Sequence, residues 1–119
     1  MGVIKLDSMT KLLLITGASA GIGLSTASRF LRDGYTVVNL SRRPCPLEGV
    51  QHLECDLAQP DFLEKIRSAL ESTLSQADRV SVIHNASRLS NDTATNTPSD
   101  KFRDVLEINI VAPNTLNRF

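Results

Sequence analysis

The sequence predicts an α/β protein built around a doubly wound parallel sheet, and three observations carry that prediction. Apolar stretches of strand length alternate with stretches whose apolar residues recur at helical spacing. The first apolar stretch runs directly into a glycine-rich turn and then into a helical pattern. Pro44 and Pro46 forbid regular pairing after the second apolar stretch and separate it from the next. The order reads β-α-β-β-α-β-α, which implies right-handed crossovers and helices on both faces of the sheet. This is the N-terminal half of a Rossmann-like fold, with strands expected in the order 3-2-1-4.

Each element has a local reason. Lys11 to Ile15 is a continuous apolar run ended by Thr16-Gly17, as expected of a strand buried on both faces. The helix after the glycines carries Ala27, Phe30 and Leu31 on one face and stops at Gly34. Tyr35 to Leu40 is rich in β-branched and apolar residues and forms the second strand. Pro44 and Pro46 mark a loop, and Val50 to Cys55 fits a shorter third strand. Pro60-Asp61 opens a helix with Phe62, Ile66, Leu70 and Leu74 at every fourth position. Val80 to Ile83 is the fourth strand, and the polar stretch Arg88 to Ser99 is a loop. Asp100 is the expected cap of a last helix carrying Phe102, Val105, Leu106 and Asn109, with Pro113 inside it or just beyond.

Composition excludes several classes of partner. The chain has 119 residues, 41% hydrophobic and 22% charged, which suits one small globular domain. Thirteen basic residues balance thirteen acidic ones, so nothing electrostatic favours nucleic acid or an anionic membrane. The longest apolar run falls far short of the ~20 residues a membrane span needs. Cys45 and Cys55 with His52 and His84 lack the spacing of a zinc site, so no metal is expected. Two reduced thiols point to a cytoplasmic protein. Residues 1–8 precede Met9-Thr10-Lys11, which has the form of a natural start. They are expected to be an expression remnant or a short extension, leaving residues 9–119 as the domain.

The chemistry lies in the glycine turn. A phosphate near a strand-to-helix turn needs exposed backbone N–H groups and no Cβ in its way, and the helix dipole favours the anion. Gly17, Gly21 and Gly23 provide this in the pattern Gly-x3-Gly-x-Gly, after a strand and before a helix. No Gly-Lys-Ser/Thr follows, so a γ-phosphate with Mg²⁺ has no lysine or hydroxyl to meet it. A dinucleotide fits better than ATP or GTP.

The stretch Thr16-Gly-Ala-Ser-Ala-Gly-Ile-Gly23 resembles the cofactor fingerprint of the short-chain dehydrogenase/reductase family. The resemblance assigns Gly17, Ser19, Ala20, Gly21, Ile22 and Gly23 to the cofactor. Three further matches arrive in the family's order and extend the likeness to about Leu116. Asp56-Leu57 resembles the pair that contacts the adenine. His84-Asn85-Ala86-Ser87 resembles the Asn-Asn-Ala-Gly at the end of the fourth strand, which would bring Asn85 and Ala86 to the ribose. Asn109 resembles the helix asparagine of the catalytic tetrad. His84 and Ser87 depart from the pattern, each expected at the floor of the cofactor cleft. With no carboxylate or cysteine motif beside it, His84 is read as a packing residue.

The second strand indicates which nicotinamide cofactor. NAD-binding folds place an acid about twenty residues beyond the glycines, where it accepts hydrogen bonds from the ribose 2′-OH. Ser41 stands at that position, and Arg42 and Arg43 follow at once. Guanidinium groups match phosphate geometry and stack on adenine, so NADP(H) is the expected cofactor.

The resemblance further implies an NADP(H)-dependent oxidoreductase exchanging a hydride with a small carbonyl or alcohol. The fourth strand would be an open edge that invites pairing, so a homo-oligomer is expected. It also implies a serine and a Tyr-x3-Lys beyond the asparagine, the tyrosine moving the substrate proton. Tyr35 is the only tyrosine and has no lysine four residues on. The chain is therefore expected to be the cofactor-binding half of such an enzyme, truncated before the Tyr-x3-Lys region and inactive alone. The alternative is a non-catalytic NADP(H)-binding or redox-sensing module.

Overall fold

A computed structural model describes residues 9–88, 96 and 98–119. Residues 1–8 and most of the predicted 88–99 loop lie outside that range. The elements are β1 (Lys11–Thr16), α1 (Gly21–Arg32), β2 (Thr36–Ser41), β3 (Gln51–Glu54), α2 (Phe62–Ser75), β4 (Arg79–His84), α3 (Ser99–Leu106), a π-helical stretch (Glu107–Val111) and α4 (Ala112–Asn117). All strand pairings are parallel, and the sheet order is β3-β2-β1-β4, as predicted.

The continuous apolar run of β1 has two burial partners. Leu13 and Ile15 join Val37 against Ala27, Phe30 and Leu31 of α1. Leu12 and Leu14 point the other way, with Val38 and Leu40, onto Phe62, Leu63, Ile66 and Leu70 of α2 and Ala112 and Leu116 of α4. A strand whose successive side chains enter two cores has no solvent face, so no polar alternation appears in its sequence. Each such aliphatic side chain contributes about 1.5–3 kcal/mol on burial.

The end of α1 shows why the predicted stop at Gly34 holds. Gly34 has φ +86° and its N–H reaches the Leu31 carbonyl, while the Tyr35 N–H reaches Phe30 across 3.0 Å. This is the Schellman arrangement, and the rings of Phe30 and Tyr35 meet edge to face at 4.8 Å to fasten it. The start of β2 is thereby set at Thr36, one residue later than the sequence indicates, because Tyr35 belongs to the helix cap.

The last helix differs from expectation in two ways. It begins at Ser99, with Pro98 before it, so Asp100 lies in the first turn and makes no capping hydrogen bond. Its carboxylate still complements the helix dipole there. The helix then widens over Glu107–Val111, where the Ala112 N–H bonds the Glu107 carbonyl five residues back. Pro113 has no N–H and crowds the preceding turn, which accounts for the local departure from α geometry.

Candidate functional site

The C-terminal ends of β1, β2 and β4 open onto one cleft. It is lined by Gly17, Ser19 and Ile22 from the glycine turn, Ser41, Arg42 and Arg43 after β2, and Asn85, Ala86 and Ser87 after β4. Such a crevice at the carboxyl ends of parallel strands is where ligands bind in open α/β sheets. Eight residues that the sequence assigned to the cofactor thus converge here from three separate segments.

The glycine turn is tightly built. A Cβ on Gly23 would stand 2.2 Å from the Gly17 carbonyl oxygen and 2.5 Å from the Asn85 side-chain nitrogen, so no side chain fits. Gly17 has φ +74°, and a Cβ there would press on the Ala86 backbone at 3.0 Å. At Gly21 a Cβ would meet nothing within 4 Å and would project into open space. Gly23 and Gly17 are therefore glycines for packing, whereas Gly21 leaves space for something else. The twelve-residue helix α1 starts at Gly21 with no side-chain cap, which leaves the N–H groups of its first turn without intrahelical partners. Ile22 is 81% exposed at the lip of the cleft. An open glycine cradle, a free helix N-terminus and an exposed apolar lip fit a dinucleotide, whose pyrophosphate and rings would cover them.

Residues absent from the sequence-based assignment hold the cleft's walls. Thr16 is buried, and its hydroxyl accepts the N–H groups of Asn85 at 3.1 Å and Ala86 at 3.0 Å, bolting β4's exit to the end of β1. Asn39 is fully buried on β2, and its Oδ1 accepts the Ala18 N–H at 2.9 Å. Both were visible in the sequence as polar residues in otherwise apolar strands.

The other assigned residues take varied places. Asn85 donates from Nδ2 to the Gly17 carbonyl at 3.0 Å, so its amide helps hold the turn. Ala20 is the residue immediately before α1, and its carbonyl accepts the Leu24 N–H. Asp56 and Leu57 line an adjoining hollow with Ser41, Arg42, Ala86 and Ser87. Asp56 also accepts the Ala58 N–H in a local turn, and Leu57 is buried in the core. Asn109 lies in the π-helical stretch, and its amide clasps the backbone of Arg88. Oδ1 accepts the N–H at 2.8 Å and Nδ2 donates to the carbonyl at 2.9 Å. His84 does not line the cleft, contrary to expectation; it meets Asn117 Oδ1 through Nε2 at 2.7 Å and tethers α4 to the sheet. Its side chain follows β4 onto the α4 face, while Ser87 lines the cleft as expected, with Asn85 and Ala86.

Arg42 and Arg43 form no ion pair with a carboxylate among the described residues. Tyr35 sits just before β2, at the opposite end of the strand from the cleft, with the Lys11 ammonium 4.8 Å above its ring. No helix of the described residues is long and apolar enough to cross a membrane, and no group of three or more metal-binding side chains occurs among them.

A family model described as short chain dehydrogenase matches residues 11–118. Protein FixR of Bradyrhizobium diazoefficiens is 31% identical, over 87% of this chain and 42% of its own length. A short-chain dehydrogenase/reductase from Burkholderia vietnamiensis superposes with a TM-score of 0.84 at 21% identity, over 91% of this chain and 54% of that one. An oxidoreductase of the same family from Brucella ovis, solved with a partially ordered NAD, is 32% identical with a TM-score of 0.74, over 92% of this chain and 55% of its own. The chain thus spans roughly half the length of these relatives.

Proposed function

This chain belongs to the short-chain dehydrogenase family, and from that premise we propose that it is the cofactor-binding half of an NADP(H)-dependent oxidoreductase acting on a small carbonyl or alcohol. The observation that carries the cofactor choice is the set of groups after β2. Ser41 stands where an acid would meet a 2′-OH, and Arg42 and Arg43 line the same cleft as the glycine turn. The Brucella neighbour carries NAD, so the preference for a 2′-phosphate rests on these three residues of this chain.

Each wall of the cleft has its task. The first-turn N–H groups of α1 hold the pyrophosphate, and Gly21 lets it approach. Arg42 and Arg43 would hold the 2′-phosphate, whose geometry a guanidinium group matches. Asp56 and Leu57 border the adenine, and Asn85 and Ala86 border the ribose. Asn109, through its clasp on Arg88, shapes the exit of β4 where the substrate would approach. When bound, the nicotinamide supplies or accepts the hydride. The proton on the substrate oxygen needs a separate donor, and Tyr35 is at the wrong end of β2 to serve. Binding without turnover is the behaviour expected of this chain alone.

The test is thermal. At equal, near-saturating concentration NADP⁺ should raise the melting temperature more than NAD⁺, since a ligand at 100 times its Kd stabilises by about 2.7 kcal/mol. Arg42→Ala should remove the difference. Equal shifts, or a larger one with NAD⁺, would reject the NADP(H) assignment.

A further inference from the structure

A buried side chain lies beneath the cleft's lining. Asn39 is 0% exposed and lies on β2 between Ile15 of β1 and His52 of β3. Its Oδ1 takes the Ala18 N–H, which fixes the amide's orientation because only the oxygen accepts. Nδ2 therefore faces the other way, toward Ser41 Oγ at 3.0 Å, the Arg43 carbonyl at 3.3 Å and His52 Nδ1 at 3.2 Å. Two hydrogens serve three acceptors, so the bonds are shared. The Ser41 hydroxyl in turn donates to the same Arg43 carbonyl.

One buried amide thus connects the glycine turn to the arginine loop. We propose that Asn39 is a positioning residue for cofactor selectivity: without touching the cofactor, it holds the Arg42–Arg43 loop at a set distance from the pyrophosphate cradle, so that the guanidinium groups meet a 2′-phosphate. The inference rests on the NADP(H) reading. Three features of the geometry support it. The side chain must accept on one side and donate on the other, which asparagine does and neither aspartate nor leucine can do without loss. Ala18 is fully buried, so its N–H has no water to turn to. Ser41 has spent its only hydroxyl hydrogen on Arg43, so in this arrangement it holds the loop and does not donate to a phosphate.

The experiment measures Kd for NADP⁺ and NAD⁺ by calorimetry on the full chain and on Asn39→Asp, which keeps the acceptor for Ala18 and loses the donor. NADP⁺ should bind about 10-fold more weakly while NAD⁺ changes less than about 3-fold, since a charged hydrogen bond is at stake in the first case only. Ser41→Ala, which removes one link of the network with little effect on the core, should lower the same ratio by about 3-fold and carries the test if Asn39→Asp does not fold. In a chain with Arg42→Ala and Arg43→Ala, neither substitution should alter the ratio. A direct repulsion between a new carboxylate and the 2′-phosphate would persist in that background and would overturn the positioning role. Equal weakening of both cofactors would overturn it too, since a merely structural residue acts on both alike. A wild-type chain that prefers NAD⁺ rejects the NADP(H) reading, and the inference falls with it; a wild type that prefers NADP⁺ with unresponsive variants rejects the inference alone.

Discussion

Strands β1 and β4 are the same length, lie side by side in register from Lys11↔Arg79 to Thr16↔His84, and end at the same cleft. Their surroundings differ. From Leu12 onward every residue of β1 is buried, whereas Val80 and Val82 of β4, paired with Leu12 and Leu14, remain 42% and 41% exposed. Side-chain type does not explain the contrast, since valine is as fit for a buried strand as leucine. Position does. β1 has a strand on each side and helices over both faces, while among the described residues β4 has one neighbouring strand. A strand's burial is conferred by its neighbours, and here the candidate cleft is anchored to the buried strand.

The sharpest way to break the comparison is at the end of β1. Gly23→Val would drive a branched side chain into the Gly17 carbonyl, and with it the contact between α1 and β1. A loss of more than about 4 kcal/mol in urea unfolding is expected, together with loss of NADP⁺ binding. At Gly21 the added Cβ meets no atom within 4 Å, so Gly21→Val should cost mainly the strain of φ +59°, about 1–2 kcal/mol, while still blocking the phosphate. Retained cofactor affinity in both variants would mean that the phosphates bind elsewhere.

A second pair of variants compares the strands directly. Leu13→Ala, at a fully buried site, should cost on the order of 3 kcal/mol. Val82→Ala, on the neighbouring strand, should cost less than about 1 kcal/mol. Similar losses would show that β4 is more enclosed in solution than its exposure suggests.

Much of this architecture was legible in the sequence, for a physical reason. A doubly covered strand must be apolar without a break, and a phosphate turn must be glycine where backbone meets backbone, so Leu12–Ile15 and Gly17–Gly23 announce themselves. The cleft lining followed because each segment sits at the end of a strand. The roles of Asn39 and Thr16 did not follow, since a polar residue in an apolar strand signals a buried partner without naming it. Nor did the direction of His84, because alternation assigns a face only once the strand's register is known. The π-helical stretch around Asn109 depends on how Pro113 is accommodated, which residue spacing alone does not tell.

The core that β1 helps to build through Leu12 and Leu14 also contains Cys55. Burial, and secondarily the nearby Asp56 carboxylate, push its thiol from 9.0 up to about 11. The unfolded chain therefore loses this proton first as pH rises, so stability is lost between about pH 9 and pH 11. The effect is up to about 2–3 kcal/mol and should vanish in Cys55→Ala, measured as the difference between the two unfolding curves across that range. Cys45, which is only half-buried, should react with a thiol reagent well before Cys55 does. An identical alkaline slope in both proteins would place Cys55 outside the sealed core.

The smallest expected change in stability concerns β4 itself, and it bears on association. The outer edge of β4 presents backbone donors and acceptors with no strand beside them among the described residues, next to the half-exposed valines. Phe102, Leu106 and Ile110 add an exposed apolar row at every fourth position of the last helix. An apolar edge of this kind invites pairing with another chain. Dimers or larger species are therefore expected in sedimentation, and Val82→Lys should return the chain to a monomer while altering unfolding free energy by less than about 0.5 kcal/mol. Hydrogen exchange should separate the two strands in the same samples. The amides of β1 should exchange only on global unfolding, while the outward amides of β4 should exchange faster in the Val82→Lys monomer than in the associated wild type. A wild-type monomer whose β4 amides are protected as well as those of β1 would remove the contrast, because an edge that needs no neighbour to resist exchange is not the open side of this sheet.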